Sequence, residues 1–271
     1  MASLSGMKVA ILVTDGFEQD ELLQPRKALD EAGAQTILVS PKDESVRGWH
    51  STDWGRSAKV DQRLNEIEPE QFDALLLPGG VMNPDKLRME PKAVEFVKSF
   101  FDAGKPVAAI CHGPWTIIEA GAAYGRRIAS WPSLKTDLRN AGAEWIDSDA
   151  VVDGNLVSAR KPADIPAFNR AMIELFSNTQ AQDAHTRKSD SAIGGSQVES
   201  FGERDPRLHV EKIKYLLKDV ARHARQDMKK VSDPRAQALF ETTAEGVEGL
   251  AKAFDDYEEK REEAWKTAGS R

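Results

Sequence analysis

The segment Pro106 to Trp115, PVAAICHGPW, constrains the chain more than any other stretch. Val107 to Ile110 form a short unbroken run of small or branched apolar residues, which predicts a fully buried strand. Cys111 and His112 follow at once, then Gly113 for a tight turn and Pro114, which suits the first position of a helix. A strand that turns sharply into a helix with a nucleophile on the turn is a nucleophile elbow. In open α/β sheets such turns face the ligand crevice. Cys111 is the only cysteine in the chain, and the helix dipole at such a turn is expected to lower its pKa and favour the thiolate. The plainer alternative is a buried structural cysteine.

The flanking sequence repeats the strand-then-helix pattern. Lys8 to Val13 reads as a strand ending in Thr14-Asp15-Gly16, with Glu18 in the turn and helical spacing from Leu22 to Gly33. Ile37 to Ser40 and Ala74 to Leu77 read as further strands, the latter running into Pro78-Gly79-Gly80. Residues 42–59, with Val46, Trp49 and Trp54, suggest a hairpin or loop over one sheet edge. Helices are expected from Pro91 to Ala103, Pro114 to Ala120, Ser133 to Ala141 and Asp164 to Phe176, the last capped by Asp164. Short strands are expected at Ile128-Ala129 and Glu144 to Asp147, and a hairpin at Val151 to Val157 around Asp153-Gly154. This alternation predicts a flavodoxin-like, doubly wound, mostly parallel α/β sheet with helices on both faces.

Residues 1–177 are thus expected to form the α/β domain. Residues 178–200 turn to Gln, Ser, Asp, Thr and Gly and read as a polar linker. Residues 201–271 carry two apolar stripes, Val210 to Val231 and Leu239 to Tyr257, broken at Asp233-Pro234. They predict a C-terminal helical hairpin whose apolar side needs a partner, either the α/β domain or another subunit's hairpin. A net charge of −7 argues against nucleic-acid or anionic-membrane binding. No apolar run is long enough to span a bilayer, no signal-peptide layout is present, and no Cys/His spacing suggests a metal site. A cytoplasmic, metal-free protein is expected.

Three stretches besides the elbow belong at the carboxyl ends of the strands. Glu18 could share a proton with Cys111, or be an ordinary first-turn glutamate. Gly79 and Gly80 could offer backbone amides as an oxyanion hole, or be a common turn. Trp131-Pro132-Ser133 could wall the pocket or simply pack. Asp85 could orient His112 or be a loop or helix-cap aspartate.

The segments GFEQDEL, ALLLPGG, NPDKLR, AICHGPW, IASWPSLKTDLRNAGAEW and VVDGNLVSARKPADIPAF, spread from about Met7 to Phe176, resemble the PfpI branch of the ThiJ/PfpI superfamily. By that resemblance Cys111 is the nucleophile, Glu18 the carboxylate at its sulfur, and Gly80 with the His112 backbone the oxyanion-hole donors. In PfpI-like peptidases a neighbouring subunit's carboxylate orients the histidine. Asp85 falls at that place, where the family usually has Glu. The resemblance implies a homo-oligomer, dimeric or higher, that needs no cofactor and acts on a small carbonyl compound or a peptide. Carbonyl-stress defence, of glyoxalase or deglycase type, is the first functional expectation, and an intracellular cysteine peptidase is the second. A third, of a different class, is a redox-sensing or chaperone-like stress protein whose Cys111 is oxidised rather than turned over. A glutamine amidotransferase would need a His-x-Glu in the same domain. The only match, His209-Val210-Glu211, lies in the tail.

Overall fold

Seven strands make the central sheet of this computed structural model, which describes residues 3–192, 206–228 and 230–258. In chain order the elements of the first unit are β1 (Lys8–Leu12), α1 (Gln19–Glu31), β2 (Gln35–Ser40), β3 (Ser45–His50), β4 (Asp53–Lys59), β5 (Gln62–Arg63), β6 (Ala74–Leu77), α2 (Met82–Leu87), α3 (Pro91–Asp102), β7 (Val107–Ile110), α4 (Pro114–Glu119), β8 (Arg127–Ile128), α5 (Lys135–Asn140), β9 (Glu144–Trp145), β10 (Val151–Asp153), β11 (Leu156–Ala159) and α6 (Ile165–Ala192). The sheet order is β10-β11-β7-β6-β1-β2-β5. Every pairing is parallel except the β10–β11 hairpin at one edge. The core order β2-β1-β6-β7-β11 is that of a flavodoxin-like sheet, with its switch point between β1 and β6.

The strands read as continuous apolar runs because both faces are covered. Side chains alternate between two cores. Val9 and Ile11 of β1, with Ala108 and Ile110 of β7, pack with Leu22 and Leu29 of α1 and Phe168, Met172 and Phe176 of α6. Ala10, Leu12, Val107 and Ala109 face the other way, toward Phe96 and Phe100 of α3, Ile117 of α4 and Leu138 of α5. Phe96 stands edge-on to both Phe72 and Phe100, at 5.9 and 5.2 Å between centroids.

Three expectations need correction. The 42–59 segment is a hairpin, but β3 and β4 form a separate small sheet and leave the edge to β5. The hairpin lies on the turn after β1, where Gly16 N–H donates to Arg47 O at 2.8 Å and Trp49 N–H to Phe17 O at 2.7 Å. Asp164 stands just ahead of α6, but Arg160 holds both of its carboxylate oxygens, at 2.9 and 3.1 Å. The expected linker is helical as far as Ala192, because α6 does not stop at Phe176. Extending a helix already nucleated by packed residues costs little for Gln, Ala, Arg and Lys, even where no apolar surface is buried. Residues 193–205 lie outside the described residues.

The chain divides into two compact units, Met1–Gly194 and Gly195–Arg271. The second holds α7 (Pro206–Met228) and α8 (Pro234–Glu258), an antiparallel pair, since Lys214 meets Asp255 while Arg225 meets Glu241 and Glu248. Ala221 and Ala224 pack against Ala244, with Phe240 and Val247 alongside. Val231, expected in the first stripe, belongs to the connection between the two helices.

Candidate active site

The elbow forms at the end of β7, beside the switch point. Cys111 has φ 62°, the left-handed region that L residues other than Gly rarely occupy. Its amide donates to Ala159 O at 3.0 Å on one side, and its carbonyl accepts from Trp131 N–H at 2.9 Å on the other. These two bonds hold the bend and turn the side chain toward β1 and α1. Gly113 is required next, because a Cβ there would lie 2.5 Å from Leu77 O.

The carboxylate that the fold sets against this sulfur is Glu21, not Glu18. Glu21 sits in the first turn of α1 with no exposed surface, on the buried face it shares with Pro25 and Leu29. Its Oε2 accepts the Gly79 N–H at 2.9 Å. Its Oε1 is enclosed without a hydrogen-bond partner, and the carboxyl faces the Cys111 thiol. Glu18 precedes the helix in extended backbone, where its amide donates to Gly79 O and its backbone bridges to Trp49 under the β3–β4 hairpin. Burial raises the Glu18 pKa, and the Asp20 charge adds to this while His50 opposes it.

Both members of the buried pair are pushed up. Burial carries the Glu21 carboxyl to about 8. Burial first, then the Glu21 charge, raises the Cys111 thiol, against the pull of the Gly80 and His112 amides that reach the sulfur. The expected lowering by a helix dipole is therefore overturned, since α4 is a short helix behind a desolvated thiol. Two facing acids that each resist ionisation keep their protons at neutral pH, and once one proton leaves they share the other. With that proton on Glu21, the charge rests on sulfur and is received by the two amides.

Gly79 and Gly80 divide the work of the loop after β6. The Gly79 amide is committed to Glu21, so it is not free to meet a substrate oxygen. A Cβ at Gly79 would lie 2.5 Å from Glu21 Oε2 and 2.6 Å from Cys111 Cβ. Gly80 has φ 79°, and a Cβ there would lie 2.4 Å from Gly16 O and 2.6 Å from Glu18 N. Buried Asn83 secures the loop: its side-chain amide donates to Pro78 O at 2.9 Å, and its Oδ1 accepts from Thr14 N–H at 2.7 Å.

His112 is buried with Nδ1 3.3 Å from Cys111 Sγ and Nε2 3.4 Å from Ser133 Oγ. Burial lowers its pKa to about 4, so the ring is neutral at pH 7. Trp131 stacks on it at 6.1 Å, and Trp115 leans against it at 5.1 Å. Trp131 is the exposed wall of the site, 39 % open to solvent. Asp85 is exposed in the first turn of α2, and within the chain His112 pairs with Ser133 rather than with it. Cys111, His112, Glu21, Gly80 and Trp131 thus converge, while Glu18 stands one turn before Glu21 and Asp85 stands apart. Glu21 and Trp115 had no role in the sequence reading, and Ser133 entered it only as part of the Trp131-Pro132-Ser133 wall.

The arrangement sets a cysteine sulfur beside an acid and two amide donors, competent to attack a carbonyl carbon and receive the oxyanion. No described helix is long and apolar enough to cross a membrane. A deglycase of Pyrococcus abyssi is 45% identical over 170 residues, 63% of this chain and 99% of that protein. Protein/nucleic acid deglycase 2 of Escherichia coli is 41% identical over 171 residues, 62% of this chain and 97% of that protein. Among solved structures, a two-domain protein of Anabaena variabilis with DJ-1/ThiJ/PfpI-like and ferritin-like domains is 29% identical with a TM-score of 0.60. That match covers 94% of this chain and 72% of the Anabaena protein. The DJ-1/PfpI family pattern matches residues 7–175, and the chain belongs to the DJ-1/PfpI family.

Proposed function

We propose that this chain is a cysteine-dependent deglycase acting on the adducts that α-oxoaldehydes such as methylglyoxal form with amines and thiols. The observation that carries the reading is the contact of buried Glu21 with Cys111, which keeps a protonated acid beside the sulfur at neutral pH. The carbinol carbon of the adduct expels the amine or thiol, which takes the carbinol O–H proton, and becomes an aldehyde. The Cys111 sulfur adds to that carbon as its own proton passes to the new alkoxide, which forms beside the amides of Gly80 and His112. Glu21 then moves the hydrogen of this hemithioacetal carbon, as a proton, to the neighbouring carbon by way of the enediol, which leaves a thioester. Hydrolysis of the resulting thioester by water frees Cys111, and the net change is addition of water to the dicarbonyl with release of the original amine or thiol. The names of the relatives support this class of substrate.

Asp85 acts in this reading from a second subunit, where its exposed carboxylate would orient His112 through the ring edge that now faces Ser133. The test is release of lactate and free amine from a methylglyoxal-treated Nα-acetyl-lysine. Turnover is expected from the native chain, absent from Cys111→Ser and lowered about a hundredfold in Glu21→Gln. Equal turnover in all three would end the proposal.

A further inference from the structure

The second unit carries an apolar face that its two helices do not cover. Ile213 and Val220 of α7 are 40% and 46% exposed, and Leu239 and Leu250 of α8 are 66% and 56% exposed. Around the α7 axis the order runs from Arg225 through Ala221 to Val220 and Ile213. Around α8 it runs from Glu248 through Ala244 to Leu250 and Leu239. In both, the first residue makes an interhelix ion pair, the second lies in the interhelix contact and the last are exposed. Because the helices are antiparallel, both ion-pairing edges fall on one side of the hairpin and both apolar edges on the other. The pairs Lys214–Asp255 and Arg225–Glu248 lace the first side.

We propose that the apolar side packs on the same side of a second copy of this chain, so that two hairpins close a four-helix bundle. The proposal stands apart from the deglycase reading. The Anabaena protein includes a ferritin-like domain, and its match extends over 94% of this chain, beyond the 63% shared with the deglycases. This chain accounts for only 72% of that protein. A ferritin-like domain is a four-helix bundle, and the described residues of the second unit hold two helices. The residues that would face the missing pair are those left exposed. Their face carries Ile, Val and Leu without the charged rows of the opposite side, so it is self-complementary and suits a two-fold contact.

The test uses the full chain with Thr242→Cys as a spin-label site on the outward side of α8, in a Cys111→Ser background. Double electron–electron resonance should give an inter-copy distance of about 20–35 Å, the width of a four-helix bundle. Paired changes Leu239→Gln with Leu250→Gln, or Ile213→Gln with Val220→Gln, keep helix-forming side chains and should remove that distance while far-UV helicity holds. Absence of any distance below about 40 Å, or a short distance that both paired variants leave intact, would overturn the proposal. So would protection of the hairpin amides from hydrogen exchange in a monomer, which would put the face on the α/β unit instead.

Discussion

The Gly79 amide donates to Glu21 Oε2 at 2.9 Å, and this one bond fixes how the carboxyl meets Cys111. A backbone group on β6's exit loop therefore holds a side chain of α1 beside the residue that follows β7.

Glu21→Gln keeps the shape and the bond to Gly79 but removes the negative charge that raises the thiol. The pH of half-maximal alkylation of Cys111 by iodoacetamide should fall by at least about one unit, while kcat/KM drops about a hundredfold because the mobile proton is gone. Glu18→Gln, one turn earlier, should move the alkylation curve less. The reverse ranking would return the role to Glu18.

Stability should depend on pH in two opposed ways. Glu21 has a folded pKa of about 8, above its ordinary 4.5. The folded chain therefore binds the extra proton between those values, and this group's contribution is lost as pH rises through the window. His112 falls from 6.5 to about 4, so the unfolded chain binds the extra proton there and stability is lost as pH falls through that window. Each limb has a limiting slope of about 1.4 kcal/mol per pH unit. Urea titrations from pH 4 to 9 should show Glu21→Gln flattening the alkaline limb and His112→Asn the acid limb.

Gly79→Ala and Gly80→Ala should each cost about 2 kcal/mol or more and abolish turnover, since the new methyl meets atoms that cannot retreat. Gly104→Ala offers the contrast. Its φ is 66° but nothing lies within 4 Å of the added carbon, so about 1 kcal/mol from backbone strain alone is expected. Thermal denaturation of the three variants would separate crowding from strain.

Asp85→Asn should lower kcat about tenfold or more without moving the thermal midpoint, because the side chain is exposed. A mixed assembly tests the route between subunits. Combining Asp85→Asn chains with Cys111→Ser chains should restore part of the activity that neither has alone. No recovery would remove Asp85 from the reaction.

The parallel core of the sheet and the elbow were legible because β1, β6 and β7 are short apolar runs bounded by Gly, Pro or charge. The edge strand β5, a two-residue Gln62-Arg63 segment, left no such signal. The carboxylate was harder. Glu18, Asp20 and Glu21 lie within one helical turn, and only the phase of α1 selects among them. A signal did exist, since Glu21, Pro25 and Leu29 step by fours onto one buried face. The elbow's composition also hid the thiol's true environment. A helix start is visible in Gly113-Pro114, but the desolvation imposed by Glu21 and the surrounding core is not. The run from 178 to 192 misled for the opposite reason: its polarity excludes burial but not continuation of a helix packed farther back.

The bend at Cys111 carries a consequence for any knock-out at this position. A residue other than glycine there holds a backbone shape it would leave if free to do so. Replacing it with glycine removes the reactive atom and relaxes that discomfort at the same moment. An inert protein of this kind should then outlast the working one on heating, which would mark the sulfur as something the fold tolerates for the sake of chemistry.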